Sequence, residues 1–360
     1  MSTRINHRQV QLARESRGYT QKEMTECIEG LNQGNLSKME KGIIPINENM
    51  LSKIAAFLNY PISFFYKECQ PRELNSFFYR KCATASQKQI NILEAKLEII
   101  RMSLDELTDS IEIPEYDIPN IPISESLTAS EIARRIRIYL SINSGPVNNL
   151  VTLLESHGVT IMFFNDAPEK FSGVTMCTSK GLPIIFVNNN HSNDKKRFTI
   201  AHELGHLVMH LRNNQRVYSQ DNKELDTEAD HFASEFLMPA EECKLDLMGL
   251  KYHDLPSLKY YWKISKAAIA YKAKELNRIS ASQYKYIMMQ LSQTGQRKKE
   301  KEVIEIDTPT ILNQVIDLHR KELGYTDEEL SELLGLSNSD INNLLIYTNK
   351  KTPMFKIIKS

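Results

Sequence analysis

The residues best suited to chemistry lie in RFTIAHELGHLVMH, residues 197–210. His202 and His206 are four apart, so on a helix both imidazoles project from one face about one turn apart. That spacing lets two imidazoles share one tetrahedral zinc, and Glu203 between them can reach a water there as general base. Zinc lowers the pKa of such a water to roughly 7, which with a nearby carboxylate suits peptide hydrolysis. The flanks Ile200, Ala201, Leu204, Leu207 and Val208 are apolar, as a buried active-site helix requires, and Gly205 is expected to keep the metal approach open. A catalytic zinc takes three protein ligands, so one more must come from elsewhere. The acidic stretch ELDTEADHFASEFLMP (224–239) is the candidate source. Asp226 and Asp230 share a helix face there; one could bind the metal while the other orients a ligand histidine. Glu228 points elsewhere on that helix and is the fallback ligand. His210 extends the histidine spacing by another four; it is a contact to the site or, as we prefer, a helix C-terminal histidine favoured by the dipole. His191, His231 and His253 have no partner at telling spacing and read as surface residues.

A second constellation occupies residues 7–58. An amphipathic helix ends at Gly18, and Thr20 N-caps a second helix with Glu23 completing a capping box. A short turn leads into NQGNLSKME, whose Leu36 and Met39 would pack inward while Asn32, Gln33, Asn35 and Lys38 face out. Such side chains at the start of an exposed helix suit base edges and phosphates in the major groove.

The elements that must position these residues follow from the pattern along 360 residues. Ile90, Leu93, Leu97, Ile100, Leu104 and Leu107 recur at helical spacing over 86–110. Pro114, Pro119 and Pro122 then make an extended linker whose apolar residues lie along a surface. Helices are expected at 128–140 and 146–157, strands at 159–165, 172–179 and 182–189, and helices at 194–211 and 224–236. The strand 182–188, just before the metal helix, could be the edge that aligns a peptide by strand addition. Residues 255–294 read as helical, with Trp262, Ile264, Ile269, Leu276 and Ile279 as core, and Ser265, Lys266 and Lys272 as exposed. QRKKEKE (296–302) reads as a solvated connector. ELGYTDEELSELLGLSNSDINNLL (322–345) echoes RGYTQKEMTECIEGLNQGNLSKM, with Asn338, Ser339, Asp340 and Asn342 on an outer face suited to protein contacts. The lysines Lys350, Lys351, Lys356 and Lys359 could supply a phosphate contact.

Composition narrows the possibilities. Forty-five basic and 45 acidic residues give zero formal charge, so bulk-charge coating of DNA is excluded and any nucleic-acid binding must be local. Residues 1–66 carry eight Lys/Arg against six Asp/Glu, only mildly basic. Five scattered cysteines without a C-x-x-C pair fit a reducing cytoplasm and argue against a cysteine-based zinc site. No signal-peptide pattern and no apolar run near 18 residues is present, so a cytoplasmic location and no membrane partner are expected.

Residues 7–66 resemble the lambda-repressor-like (XRE) helix-turn-helix family, through LSKIAAFLNYPISFFY. The resemblance implies that Gln21 holds a phosphate, that Gln33, Gly34 and Lys38 face bases with Asn32 and Asn35 beside them, and that the chain binds double-stranded DNA as a homodimer. RFTIAHELGHLVMH followed by an acidic helix ending in FASEFLMP resembles the ImmA/IrrE family of zinc metallopeptidases. That resemblance extends over roughly residues 7–300, through the 86–110 helix, the proline linker, GPVNNLVTLLESHGVTIMFF, LPIIFVNN and LKYYWKISKAAIAYKAKELNRIS. It implies a third ligand thirteen residues before Pro239, which is Asp226 where the family usually has Glu; Asp230 falls where the family commonly has Asn.

The expectation is therefore an α+β, mostly helical chain. It has a helix-turn-helix domain (1–68), a helix and proline-rich linker (69–124), and a zincin-like metallopeptidase domain with a small sheet (125–250). A helical extension (251–300) and a small helix-turn-helix-like unit (301–360) follow. The resemblance implies one Zn2+ per chain on His202, His206 and Asp226, Glu203 as catalytic base, Asp230 behind a ligand, and a protein substrate or regulatory partner such as a repressor. The alternative is a DNA-binding repressor or antitoxin whose peptidase fold is a non-catalytic sensor or binding module.

Overall fold

In a computed structural model, residues 4–68, 86–210 and 223–346 are described. The helices are α1 (His7–Ser16), α2 (Gln21–Cys27), α3 (Gln33–Glu40), α4 (Glu48–Leu58), α5 (Gln87–Leu107), α6 (Ala129–Tyr139), α7 (Leu150–Ser156) and α8 (Asn193–Met209). They continue with α9 (Lys223–Leu237), α10 (Ala240–Cys243), α11 (Leu255–Trp262), α12 (Lys266–Glu275), α13 (Ala281–Gln293), α14 (Ile311–Lys321), α15 (Asp327–Leu334) and α16 (Asn338–Asp340). Three strands, β1 (Thr160–Phe164), β2 (Gly173–Cys177) and β3 (Pro183–Asn188), lie between α7 and α8. The architecture is α+β and mostly helical. The chain divides into two compact units, one of residues 1–70, 94–112 and 308–360, the other of 71–93 and 113–307.

In the first unit, side-chain caps punctuate the N-terminal helices. Asn6, Thr20, Asn32 and Asn47 each accept a hydrogen bond from a first-turn N–H, and Thr20 and Glu23 complete a capping box. Such caps satisfy donors that the helix itself leaves unpaired. Val10, Ala13, Met24, Leu36 and Ile54 meet in the core. Residues 311–345 repeat the local chemistry of α1–α3. Gly18 and Gly324 both sit at positive φ (77° and 73°), and Thr326 with Glu329 repeats the capping box of Thr20 with Glu23. Asp340 is not on an outer face. It is buried and takes a two-pronged ion pair from Arg17, both contacts at 2.7 Å, because α16 turns toward the C-terminal end of α1. Lys67 ties the same region by donating to Leu333 O and Glu106. The lysine-bearing tail beyond residue 346 lies outside the described residues.

The second unit is built on a mixed sheet of order β1-β3-β2, with β1 parallel and β2 antiparallel to β3. This overturns the reading of 182–188 as an edge. The β2–β3 hairpin puts β2 on one side of β3 and β1 pairs in parallel along the other, so β3 is central and Ile184–Val187 are wholly buried. The proline segment lies on this unit, with Ile118 buried and Ile121 N–H donating to Val208 O at 2.9 Å. Gly158 allows that approach. Its φ is +76°, and a Cβ there would fall 2.4 Å from the backbone of Glu115 and Tyr116.

Two lysines of α12 also depart from expectation. Lys266 and Lys272 are buried, Lys272 against Glu235 at 2.9 Å and Lys266 against Gln296 and Glu302. The segment 296–302 is solvated only in part: Arg297, Lys298, Lys299 and Lys301 are exposed, but Glu300 pairs with Lys259 at 2.6 Å and Gln296 is buried. Ammonium groups this buried require such partners. Burial pushes the thiol of Cys243 up to about 11.

Candidate functional site

Helix α8 carries the histidines and is fixed at both ends of its function. Near its start, Arg197 is fully buried and donates to the carbonyls of Val147, Asn148 and Lys263. Burial pushes its guanidinium down to about 10. Farther along, α8 packs on β2 and β3 with one side and on α9 with another. Two glycines set these distances. A Cβ on Gly173 of β2 would lie 2.5 Å from Thr199 Cγ2 and 2.6 Å from Phe186 O. A Cβ on Gly205 would lie 3.1 Å from the Phe232 ring and 3.3 Å from Ala229 Cα. Gly205 therefore does not open a metal approach; it lets α9 come close.

That close approach brings Asp226 to the histidines. His202 Nε2 and His206 Nε2 are 3.0 Å apart, and the buried Asp226 Oδ1 is 3.7 Å from the first and 3.5 Å from the second. Among the described residues this trio is the group of His, Cys, Asp and Glu side chains whose donor atoms converge within 4.8 Å. Zinc–ligand bonds of about 2.0–2.1 Å in a tetrahedron put neighbouring donors about 3.3 Å apart, so the triangle fits one zinc ion. Two imidazoles and a carboxylate are also a donor set that zinc favours.

The other ring nitrogens are engaged. His202 Nδ1 lies 2.8 Å from Asp230 Oδ1. His206 Nδ1 lies 2.9 Å from His210 Nδ1, whose Nε2 is 3.0 Å from Glu228 Oε2. His210 is thus buried at the site and is not a simple dipole-favoured terminal residue; α8 ends against the Glu228 side of α9. Glu228 meets His210. Glu203 is buried, and Thr175 Oγ1 donates to its Oε2 at 2.9 Å. From sequence, Glu228 is only the fallback metal ligand, His210 only the less favoured site contact, and Thr175 has no part. The four-residue step from His206 to His210 was the signal for one of them; nothing local marked Thr175. Of the remaining histidines, His231 and His253 are exposed and His191 is half-buried, its Nε2 at 2.9 Å from Phe171 O.

In the N-terminal domain, Gln33, Gly34, Asn35 and Lys38 are exposed on α3. Asn32 uses its side-chain oxygen to cap α3 through Asn35 N–H at 2.8 Å. Gln21 donates its amide to Glu40 at 2.7 Å, and Glu40 is also held by Arg14 at 2.6 and 3.0 Å. In this arrangement the Gln21 donor is directed into the domain and not toward a phosphate.

No helix among the described residues is long and apolar enough to cross a membrane. A search of curated proteins finds no match to the chain. Residues 10–65 match the helix-turn-helix family model, and residues 154–274, which contain the whole His–Asp cluster, match the model of the IrrE N-terminal-like domain. The chain thus joins an XRE-type helix-turn-helix domain to an IrrE/ImmA-like peptidase domain.

Proposed function

We propose that the chain is a DNA-binding transcriptional regulator carrying a zinc-dependent endopeptidase that cleaves a specific regulatory protein, such as a repressor. The observation that carries this reading is the convergence of His202 Nε2, His206 Nε2 and Asp226 Oδ1 beside Glu203. His202, His206 and Asp226 would hold the zinc, and Asp230 would fix the His202 ring through Nδ1. When bound, zinc supplies a Lewis acid that acidifies water and polarises a peptide carbonyl. Glu203 takes the proton of the attacking water and returns it to the leaving amine, with Thr175 steadying one carboxylate oxygen. Strand β2 is an outer strand and bears Thr175, so an extended peptide pairing along it would pass Glu203. At the other end, α3 would enter the major groove with Gln33, Asn35 and Lys38 toward the bases and backbone.

The zinc reading and the peptidase reading are tested together by one experiment. Cells carrying the wild-type chain or Glu203→Gln are compared for newly formed protein N-termini, and both purified proteins are assayed for zinc. Loss of a general base costs about 10²–10⁴ in rate, so the fragments should vanish while zinc is retained. The short Asp226 ligand favours a second reading, a non-catalytic sensor. Identical fragments and identical regulation with Glu203→Gln would establish that reading instead.

A further inference from the structure

The metal-site reading uses His202, His206, Asp226, Asp230 and Glu203 and leaves His210 and Glu228 without a part. Both are drawn to the site by contacts at hydrogen-bond distance. His210 is 3 % exposed, and His206 Nδ1, His210 Nδ1, His210 Nε2 and Glu228 Oε2 form an unbroken chain with steps of 2.9 and 3.0 Å. We infer that His210 and Glu228 are positioning residues that fix the tautomer and raise the donor strength of His206, an inference that rests on the metal-site reading above.

The direction of each proton follows from the donors available. A carboxylate only accepts, so the Glu228 contact requires a proton on His210 Nε2. With His210 as the neutral imidazole, which has one N–H, its Nδ1 is then an acceptor, whereas an imidazolium there would donate to His206 Nδ1 and give the opposite His206 tautomer. The contact at 2.9 Å in turn requires the proton on His206 Nδ1. His206 Nε2 is left with its lone pair facing His202 and Asp226, as a metal ligand must be. The opposite arrangement would set a bare His210 Nε2 against a carboxylate, two acceptors at 3.0 Å with nothing between them, whereas the bare Nε2 atoms of His202 and His206, also 3.0 Å apart, would be satisfied by the metal. The negative Glu228 also strengthens the pull on the His206 proton, which enriches Nε2. His202 has a carboxylate directly on its Nδ1, and His206 has one through an intervening ring, so the two ligands are supported by different routes from one helix, α9.

Three variants separate this role from mere packing. His210→Phe keeps a ring and removes both hydrogen bonds. His210→Asn keeps an acceptor near the Nδ1 position but cannot reach Glu228. Glu228→Gln keeps an acceptor for His210 and removes the charge. Zinc affinity is measured by competition with a chromogenic chelator, and the His206 tautomer by 15N-histidine NMR on the metal-free protein. His210→Phe should bind zinc about 10- to 100-fold more weakly, with His210→Asn and Glu228→Gln in between. His210→Phe should also convert His206 from the Nδ1–H form to a mixture, and adding Glu228→Gln to it should cost nothing more, since Glu228 acts through His210. Wild-type affinity in His210→Phe, or a His206 tautomer indifferent to it, overturns the inference. If His210→Phe fails to fold, the Glu228→Gln tautomer and affinity decide it. Absence of zinc binding by the wild-type chain would count against the metal-site reading itself, while the metal-free tautomer measurement would still decide the hydrogen-bond chain.

Discussion

Replacing Gly205 by alanine tests whether the reach of a short ligand depends on how closely two helices pack. The added methyl would sit 3.1–3.2 Å from Phe232 ring carbons and 3.3 Å from Ala229 Cα, tighter than ordinary carbon contacts. Phe232 is fully buried and stacks on Phe236 with centroids 5.7 Å apart, so it has no easy escape. Overpacking of this kind costs about 1–3 kcal/mol, while alanine in place of glycine inside a helix returns about 1 kcal/mol. Net stability should therefore fall by only about 0–2 kcal/mol, and the metal-free protein should remain folded. The strain is relieved if α9 moves out by a few tenths of an ångström, which draws Asp226 away from both imidazoles. Closing the ligands around zinc restores the clash, so zinc affinity should drop by about 5- to 150-fold, the equivalent of 1–3 kcal/mol. Adding Asp226→Glu, one methylene longer, should recover most of that loss in the Gly205→Ala background and less in wild type. The assays are urea unfolding of the metal-free chains and chelator competition for zinc. Wild-type zinc affinity in Gly205→Ala, or strictly additive effects of the two substitutions, would refute the argument that helix spacing sets the ligand's reach.

Other predictions concern separate parts of the molecule. Thr175→Val removes the hydrogen bond to the Glu203 carboxylate and should lower peptidase kcat by about 10- to 150-fold, since bonds to charged groups contribute about 1.5–3 kcal/mol, while leaving zinc affinity unchanged; a parallel loss of zinc would show a structural effect. Arg17→Ala and Asp340→Ala should couple by about 1–3 kcal/mol in a double-mutant cycle, because the ion pair is two-pronged and Asp340 is mostly buried. Burial opposes ionisation of Asp340, but hydrogen bonds from Arg17 and Ser337 outweigh it and hold the carboxyl below the usual range. Its contribution is therefore complete above the unfolded value of about 3.9 and disappears as pH falls through the lower folded value, so Asp340→Asn should flatten the acid side of the stability profile. Lys38→Ala should weaken DNA binding and reduce the salt-dependence slope by about 1, whereas Gln33→Ala should narrow the gap between specific and random DNA. Unchanged DNA affinity in both would remove α3 as the reading helix.

Local signals located most of the elements and half of the site. The capping residues Thr20 and Glu23 are read along a few neighbouring positions, and α2 begins there. Helix α7 starts at Leu150 and not at Pro146, since 145–149 are held by other contacts, including Glu242 on Gly145 and Arg197 on Val147. The His202–Glu203–His206 spacing was legible because one helix turn supplies all of its geometry. Lys266, Lys272, Glu300 and Glu302 looked like solvated charges because their partners lie 30 or more positions away.

By itself, then, the sequence determined the period-dependent features: which helix bears the two imidazoles and the carboxylate between them, where the helix-turn-helix begins, and which stretches are strands. Only the tertiary structure decided that β3 is central, that Gly205 serves helix packing, that Asp340 faces Arg17, and that Thr175, His210 and Glu228 reach the metal-ligand cluster. The division has a physical cause. Helical and strand periods act over a few residues, whereas strand order, helix separation and the pairing of buried charges are set by which distant segments exclude water together.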